Sequence, residues 1–158
     1  MNPPKNFYFN KLLKAAEGVC KQHDIVLNFD GYDDLIAKLQ NFNFNNSAEA
    51  WEIAKECNAW CEYIGDIKAV IKQELANAET DKKAIISKVS TEKDPSKVAN
   101  GERLANSCED VVAIRKQRNT FEALYEMLDD KLQFLIQSHY FARATCEWSS
   151  KCSIQENR

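Results

Sequence analysis

The feature that most restricts this chain is a pair of long apolar stripes, spaced for helices that lie side by side. From Ile53, apolar residues recur at Cys57, Trp60, Ile64, Ile67, Ile71 and Leu75, with Ala78 beyond, in steps of three and four. That spacing is close to the 3.5-residue repeat of a helix packed lengthwise on another. Glu52, Glu56, Glu62, Asp66, Lys68 and Lys72 fall largely off the stripe. A second stripe runs Leu104, Cys108, Val111, Ile114, a polar break at Arg118, then Phe121, Leu124 or Tyr125, Leu128, Leu132, Leu135, His139, Ala142 and Cys146. Unbroken from about Pro95 to Ser149, such a helix would be about 80 Å long at a rise of 1.5 Å per residue. A small globule cannot bury a stripe of that length. It needs an equally long partner: the 47–90 helix, a second subunit, or both. A homo-oligomer is therefore expected.

The rest of the chain divides around these stripes. Residues 1–46 read as a small helical N-terminal subdomain. A short amphipathic helix is expected from roughly Asn10 to Gln22, with Leu12, Leu13, Ala16 and Val19 on one side, and Ile25-Val26-Leu27 is too short to assign. Asp30-Gly31 reads as a turn, and Asp33-Asp34 as the start of a second helix with carboxylates at its positive end. Asn41 to Asn46 forms a connector whose phenylalanines, Phe42 and Phe44, should rest on the main body. Asn46 or Ser47 can cap the first long helix, with Glu49 placed for a capping box. The hairpin spans 47–150, with its connection near 91–101. There Asp94 suits an N-cap and Pro95 the first helical position, although the return helix could also begin after Asn100-Gly101. Residues 151–158 read as a flexible tail. The expected fold is all-α: a long antiparallel helical hairpin, or coiled coil, with the small helical subdomain attached.

Composition agrees. At 158 residues, 44% hydrophobic and 28% charged, the chain can bury a core. Four glycines and three prolines are too few turn formers for an all-β sandwich, and no glycine-rich phosphate loop is present. No run of about 18 apolar residues occurs. The start lacks the apolar region of a signal peptide, so no membrane association and a cytoplasmic location are expected. The six cysteines are then expected to be reduced.

Catalytic chemistry is hard to locate. His139 lies on the apolar stripe, as a packed or hydrogen-bonded core histidine would. Cys57 and Cys61 share one helical face in or beside the seam, where cysteine serves as a small core residue rather than a zinc ligand. Asp129-Asp130 and Glu109-Asp110 read as solvated helix surface. Trp51 and Trp148, near opposite sequence ends of the hairpin, could meet there. No catalytic residue, metal or cofactor is expected.

Charge distribution offers one candidate surface. The net charge is −3, yet residues 81–118 carry 9 basic and 6 acidic side chains. Lys82, Lys83 and Lys88 approach the bend, Lys93 and Lys97 flank it, Arg103 begins the return, and Arg115, Lys116 and Arg118 cluster further along. Such groups bind phosphates through charge and counterion release, without reading sequence. Repetition around an oligomer would make the patch multivalent.

The layout from about Ser47 to Trp148 resembles the UvsY-type recombination mediators of tailed phages. Ala50-Trp51 and Trp60-Cys61-Glu62-Tyr63 lie on a first helix that runs into Lys82-Lys83-Ala84. After a polar connection come Gly101-Glu102-Arg103-Leu104-Ala105, then Phe121-Glu122-Ala123-Leu124-Tyr125 and the closing Tyr140-Phe141-Ala142-Arg143. The resemblance implies a helical, ring-forming protein without catalytic activity. It would bind single-stranded DNA and help a RecA-like recombinase displace the single-strand-binding protein. Lys82, Lys83, Lys88 and Arg103 would be its DNA contacts. Its location would be the host-cell cytoplasm. The alternative is a helical interaction module, or an inhibitor of phage anti-defence type, whose acidic N-terminal part blocks a host protein. A thiol-metal enzyme ranks last.

Overall fold

The computed structural model describes residues 7–43, 46–93 and 106–156, with positions 92–93 and 149–156 described by backbone alone. Among them are four helices and no strand: α1 (Phe7–Gln22), α2 (Asp30–Gln40), α3 (Ser47–Lys93) and α4 (Glu109–Glu156). The architecture is the expected all-α hairpin with small N-terminal helices. With 47 and 48 residues, α3 and α4 are each about 70 Å long. Their antiparallel course is fixed by paired contacts in opposing order. Ser47 meets Cys146, Ala54 meets His139, Lys68 meets Asp129 and Glu79 meets Arg118.

The two stripes form the seam. Ile53, Cys57, Ile64, Ile67 and Ile71 of α3 are buried in one core with Phe121, Leu124, Leu128, Leu135 and Ala142 of α4, and Val111 is buried separately nearer the tip. Each fully buried aliphatic side chain contributes roughly 1.5–3 kcal/mol. The seam therefore holds these helices where propensity alone would not. Trp60 stands at the seam's edge instead of inside it. It packs on Phe29, Tyr32 and Tyr63, with ring centroids 5.4–5.6 Å away, and so joins α3 to the N-terminal subdomain.

Helix ends follow local chemistry. The α1 terminus is a Schellman turn: the Ile25 N–H donates to the Cys20 carbonyl (3.0 Å) and the Asp24 N–H to that of Lys21 (3.2 Å). Asp24 holds the left-handed position, at φ 58°. Asn46 caps α3, its Oδ1 accepting from the Glu49 N–H at 3.1 Å, and its side-chain amide donates to the Glu49 carboxylate at 3.3 Å. Tyr63 ties the 25–29 segment to α3. Its hydroxyl donates to the Val26 carbonyl (2.6 Å) and accepts from the Asn28 N–H (2.8 Å).

Several expectations need correction. α1 begins at Phe7, and α2 begins at Asp30, so Asp30-Gly31 is not a turn but the first helical turn of α2. Gly31 is there for proximity: a Cβ at that position would meet the Trp60 ring at 3.3 Å. Asp30 and Asp33 supply the negative charge that a helix start favours. Phe42 is buried beside Phe141, as expected of the connector. Trp51 and Trp148 do not meet; they are 54% and 73% exposed, and Trp51 lies instead under Lys55. The last helix starts at Glu109, after a break at Ser107-Cys108, and continues to Glu156, through most of the segment read as a tail. The cap at Asp94-Pro95, Gly101, Leu104 and Phe44 lie outside the described residues.

Two stability measurements check this account. Ile67→Ala at the centre of the seam should cost about 2–5 kcal/mol in denaturant unfolding. Asp24→Gly should add about 0.5–1 kcal/mol, because glycine adopts the left-handed conformation without a Cβ penalty.

Candidate nucleic-acid interface

The basic residues lie where the seam changes character. On α3 the last buried apolar residue is Ala78; Ile85, Ile86 and Val89 beyond it are only half-buried. Continuing the 3.5-residue repeat from Ala78 places Lys82 on the seam, and on α4 the polar break Arg118 faces it. Glu79 lies between them. Lys82 Nζ stands 3.3 Å from Glu79, and Arg118 is 3.9 Å from the same carboxylate and 3.3 Å from Glu122. The guanidinium of Arg115 donates to Asn106 Oδ1. Charged side chains at seam positions keep their stems on apolar surface and their heads toward water.

The six of the nine expected contact residues whose side chains are described do not form one surface. Lys82 and Arg118 come together, neutralised in part by Glu79 and Glu122. Arg115 is half-buried and held by a polar partner. Lys83, Lys88 and Lys116 are exposed and have no ion pair among the described residues. Lys83 and Lys88 are five residues apart, which turns them about 140° from each other around α3. Of the remaining three, Lys97 and Arg103 lie outside the described residues, as does the side chain of Lys93. Glu79 was missed in the sequence, although its place three residues before Lys82 is the spacing of a helical ion pair.

The other candidates are structural in their geometry. His139 Nδ1 donates to the Ala54 carbonyl across the seam at 3.0 Å, which fixes the ring between the two helices. Cys57 is fully buried, and burial, with Cys61 and Glu56 nearby, pushes its thiol up to about 11. Burial likewise raises Cys61. Both shifts favour the protonated thiol at neutral pH, the less reactive form of cysteine. Among the described residues, no group of three or more His, Cys, Asp or Glu side chains is arranged to hold a metal. Lys68 pairs with Asp129, which raises its pKa, and lies 4.6 Å over the Tyr125 ring. That pair braces the mid-hairpin.

The class defined by this arrangement is an all-α hairpin with a charged tip and a covered base. No described helix is long and apolar enough to cross a membrane. The chain matches no family model, no curated protein and no solved structure.

The Cys57 environment has a pH consequence. Unfolding releases a thiol that ionises near 9 from a site where it ionises near 11, so stability is full below pH 9 and falls between pH 9 and 11. Tyr32, raised to about 12 chiefly by burial, extends the fall upward, while Lys131, lowered by burial, partly opposes it. Cys57→Ala should flatten the decline of Tm over pH 9–11, and Ellman's reagent should leave native Cys57 unlabelled at pH 8.

Proposed function

We propose that this chain is a non-enzymatic accessory protein of phage-type DNA recombination or replication, akin to the UvsY-type mediators. It acts as a homo-oligomer in the host-cell cytoplasm, binds single-stranded DNA at the hairpin tip and engages a recombinase. The observation that carries this reading is the set of exposed lysines, Lys83, Lys88 and Lys116, that form no ion pair among the described residues, in the stretch where apolar burial on α3 thins. Free ammonium groups bind phosphates by releasing counterions, and they do so from more than one side of a rod without needing a pocket. Lys82 and Arg118 contribute less, because Glu79 and Glu122 already compete for them. An oligomer multiplies these few contacts into useful affinity.

A second reading has its own observation. Trp51, Tyr140 and Trp148, toward the end of the hairpin away from the tip, are 54%, 64% and 73% exposed. Exposed aromatic residues of this size serve as anchors at protein interfaces. They favour a helical interaction module that blocks a host protein.

Fluorescence anisotropy with a labelled oligonucleotide separates the two. Three phosphate contacts per chain predict a slope of log K against log salt of about −2. Replacing Lys83, Lys88 and Lys116 together by glutamine should abolish it. An absence of binding at low salt rejects the DNA reading. Light scattering with and without the oligonucleotide reports the assembly in the same samples.

A further inference from the structure

A large cleft lies far from the tip and plays no part in the reading above. It has a volume of about 840 Å³, between α1, the 25–33 segment and α4. That size lies within the range of small-molecule sites. Its walls include Phe9, Phe29 and Tyr32, and Lys131 of α4 projects into it. The Lys131 ammonium lies 4.5 Å over the Phe9 ring and 4.3 Å over the Tyr32 ring. No carboxylate comes within ion-pair distance of it among the described residues. Burial lowers its pKa, with only Asp33 near enough to oppose the effect. The other charged groups at the cleft are Lys11, Lys14 and Glu17 on α1 and Asp30 on α2.

An ammonium on the wall of an open cleft, held by ring faces and matched to no carboxylate, is an electrostatic vacancy for an anion. A ring face attracts a cation more weakly than a carboxylate or phosphate does, so an arriving anion gains the full charge interaction in a partly dry site. The aromatic walls add a surface for a flat, unsaturated body. We propose that this cleft is a binding site for a small organic anion carried on a flat ring, its carboxylate or phosphate seated on Lys131 and its ring against the Phe9–Phe29–Tyr32 wall. Lys11 and Lys14 draw the anion toward the mouth, while Glu17, Asp30 and Asp33 bar ligands with a second negative arm at the wrong place.

The test uses the full chain and two pairs of probes: dAMP against deoxyadenosine, and indole-3-carboxylate against indole-3-carboxamide. Binding is read by calorimetry and by protection of Lys131 from acetic anhydride, followed by peptide mass spectrometry. At least one charged probe should bind about tenfold or more tightly than its neutral counterpart. It should also protect Lys131. Which pair responds assigns the anion as phosphate or carboxylate. Lys131→Met, which keeps the side-chain length, should erase the preference, and protection of the wild-type lysine stands as evidence should that variant not fold. Glutamine at Lys83, Lys88 and Lys116 should leave binding unchanged, so failure of DNA binding and failure of this site are read separately. The proposal is overturned if neither charged probe binds at millimolar concentration, if the neutral probes bind equally well, if Lys131 stays fully reactive, or if folded Lys131→Met retains the preference.

Discussion

Everything in this molecule depends on the contact between α3 and α4. Two helices of about 70 Å have no reason to stay straight and ordered in water by propensity alone. Burial of Ile53, Ile64, Ile67 and Ile71 against Phe121, Leu124, Leu128 and Leu135 supplies the reason. The hydrogen bond from His139 to Ala54 and the Lys68–Asp129 pair then set which residue faces which. Polar contacts of this kind add little net stability, but a seam of similar aliphatic side chains would tolerate a slip of one repeat without them.

The N-terminal subdomain is built onto this rod with aromatic rings. Phe9, Phe29, Tyr32, Trp60 and Tyr63 form a chain of edge and tilted contacts with centroids 5.0–6.1 Å apart. Rings suit this junction because they bury much area with few rotamers and tolerate crossing directions that interdigitated aliphatic residues do not. The cost is imperfect filling. Helices joined through large flat groups leave clefts between them, and the cleft below Lys131 is one.

Periodicity made the seam legible, because a 3.5-residue repeat over this length has no other fold to serve. Apart from Trp60, it marks the seam from Ile53 to Ala78 and from Val111 to Cys146, and it predicts the antiparallel return. It failed where a residue's role depends on something distant in sequence. Gly31 reads as a turn former, yet its lack of a side chain serves Trp60, which approaches from α3. Trp60 fits the seam by spacing and leaves it because a ring partner lies outside. Charge counted along the chain makes the tip one basic island, because it does not show which carboxylate turns toward which cation; Glu79 turns toward Lys82 and Arg118. Lys131 is masked in the pattern by Leu132 beside it, although a lysine three residues after Leu128 and four before Leu135 occupies a position on the apolar side of the helix.

The two ends of the hairpin consequently differ in kind. At the base, α3 and α4 are covered on one side by α1 and α2, and apolar burial continues out to Ala50 and Ala142. Toward the tip, among the described residues, only the two helices cover each other, and charged residues occupy seam positions at Lys82 and Arg118. Local stability follows apolar burial, so opening is easiest beyond Ala78 and rarest near Ile64 and Leu128. A surface that meets an extended, variable polyanion gains from the compliant end, where side chains reposition at little cost. A cleft that must hold one small ligand in a fixed pose needs the rigid end. The exposed lysines Lys83, Lys88 and Lys116 lie toward the first end and Lys131 toward the second, which is why the two proposals fall at opposite ends of the hairpin.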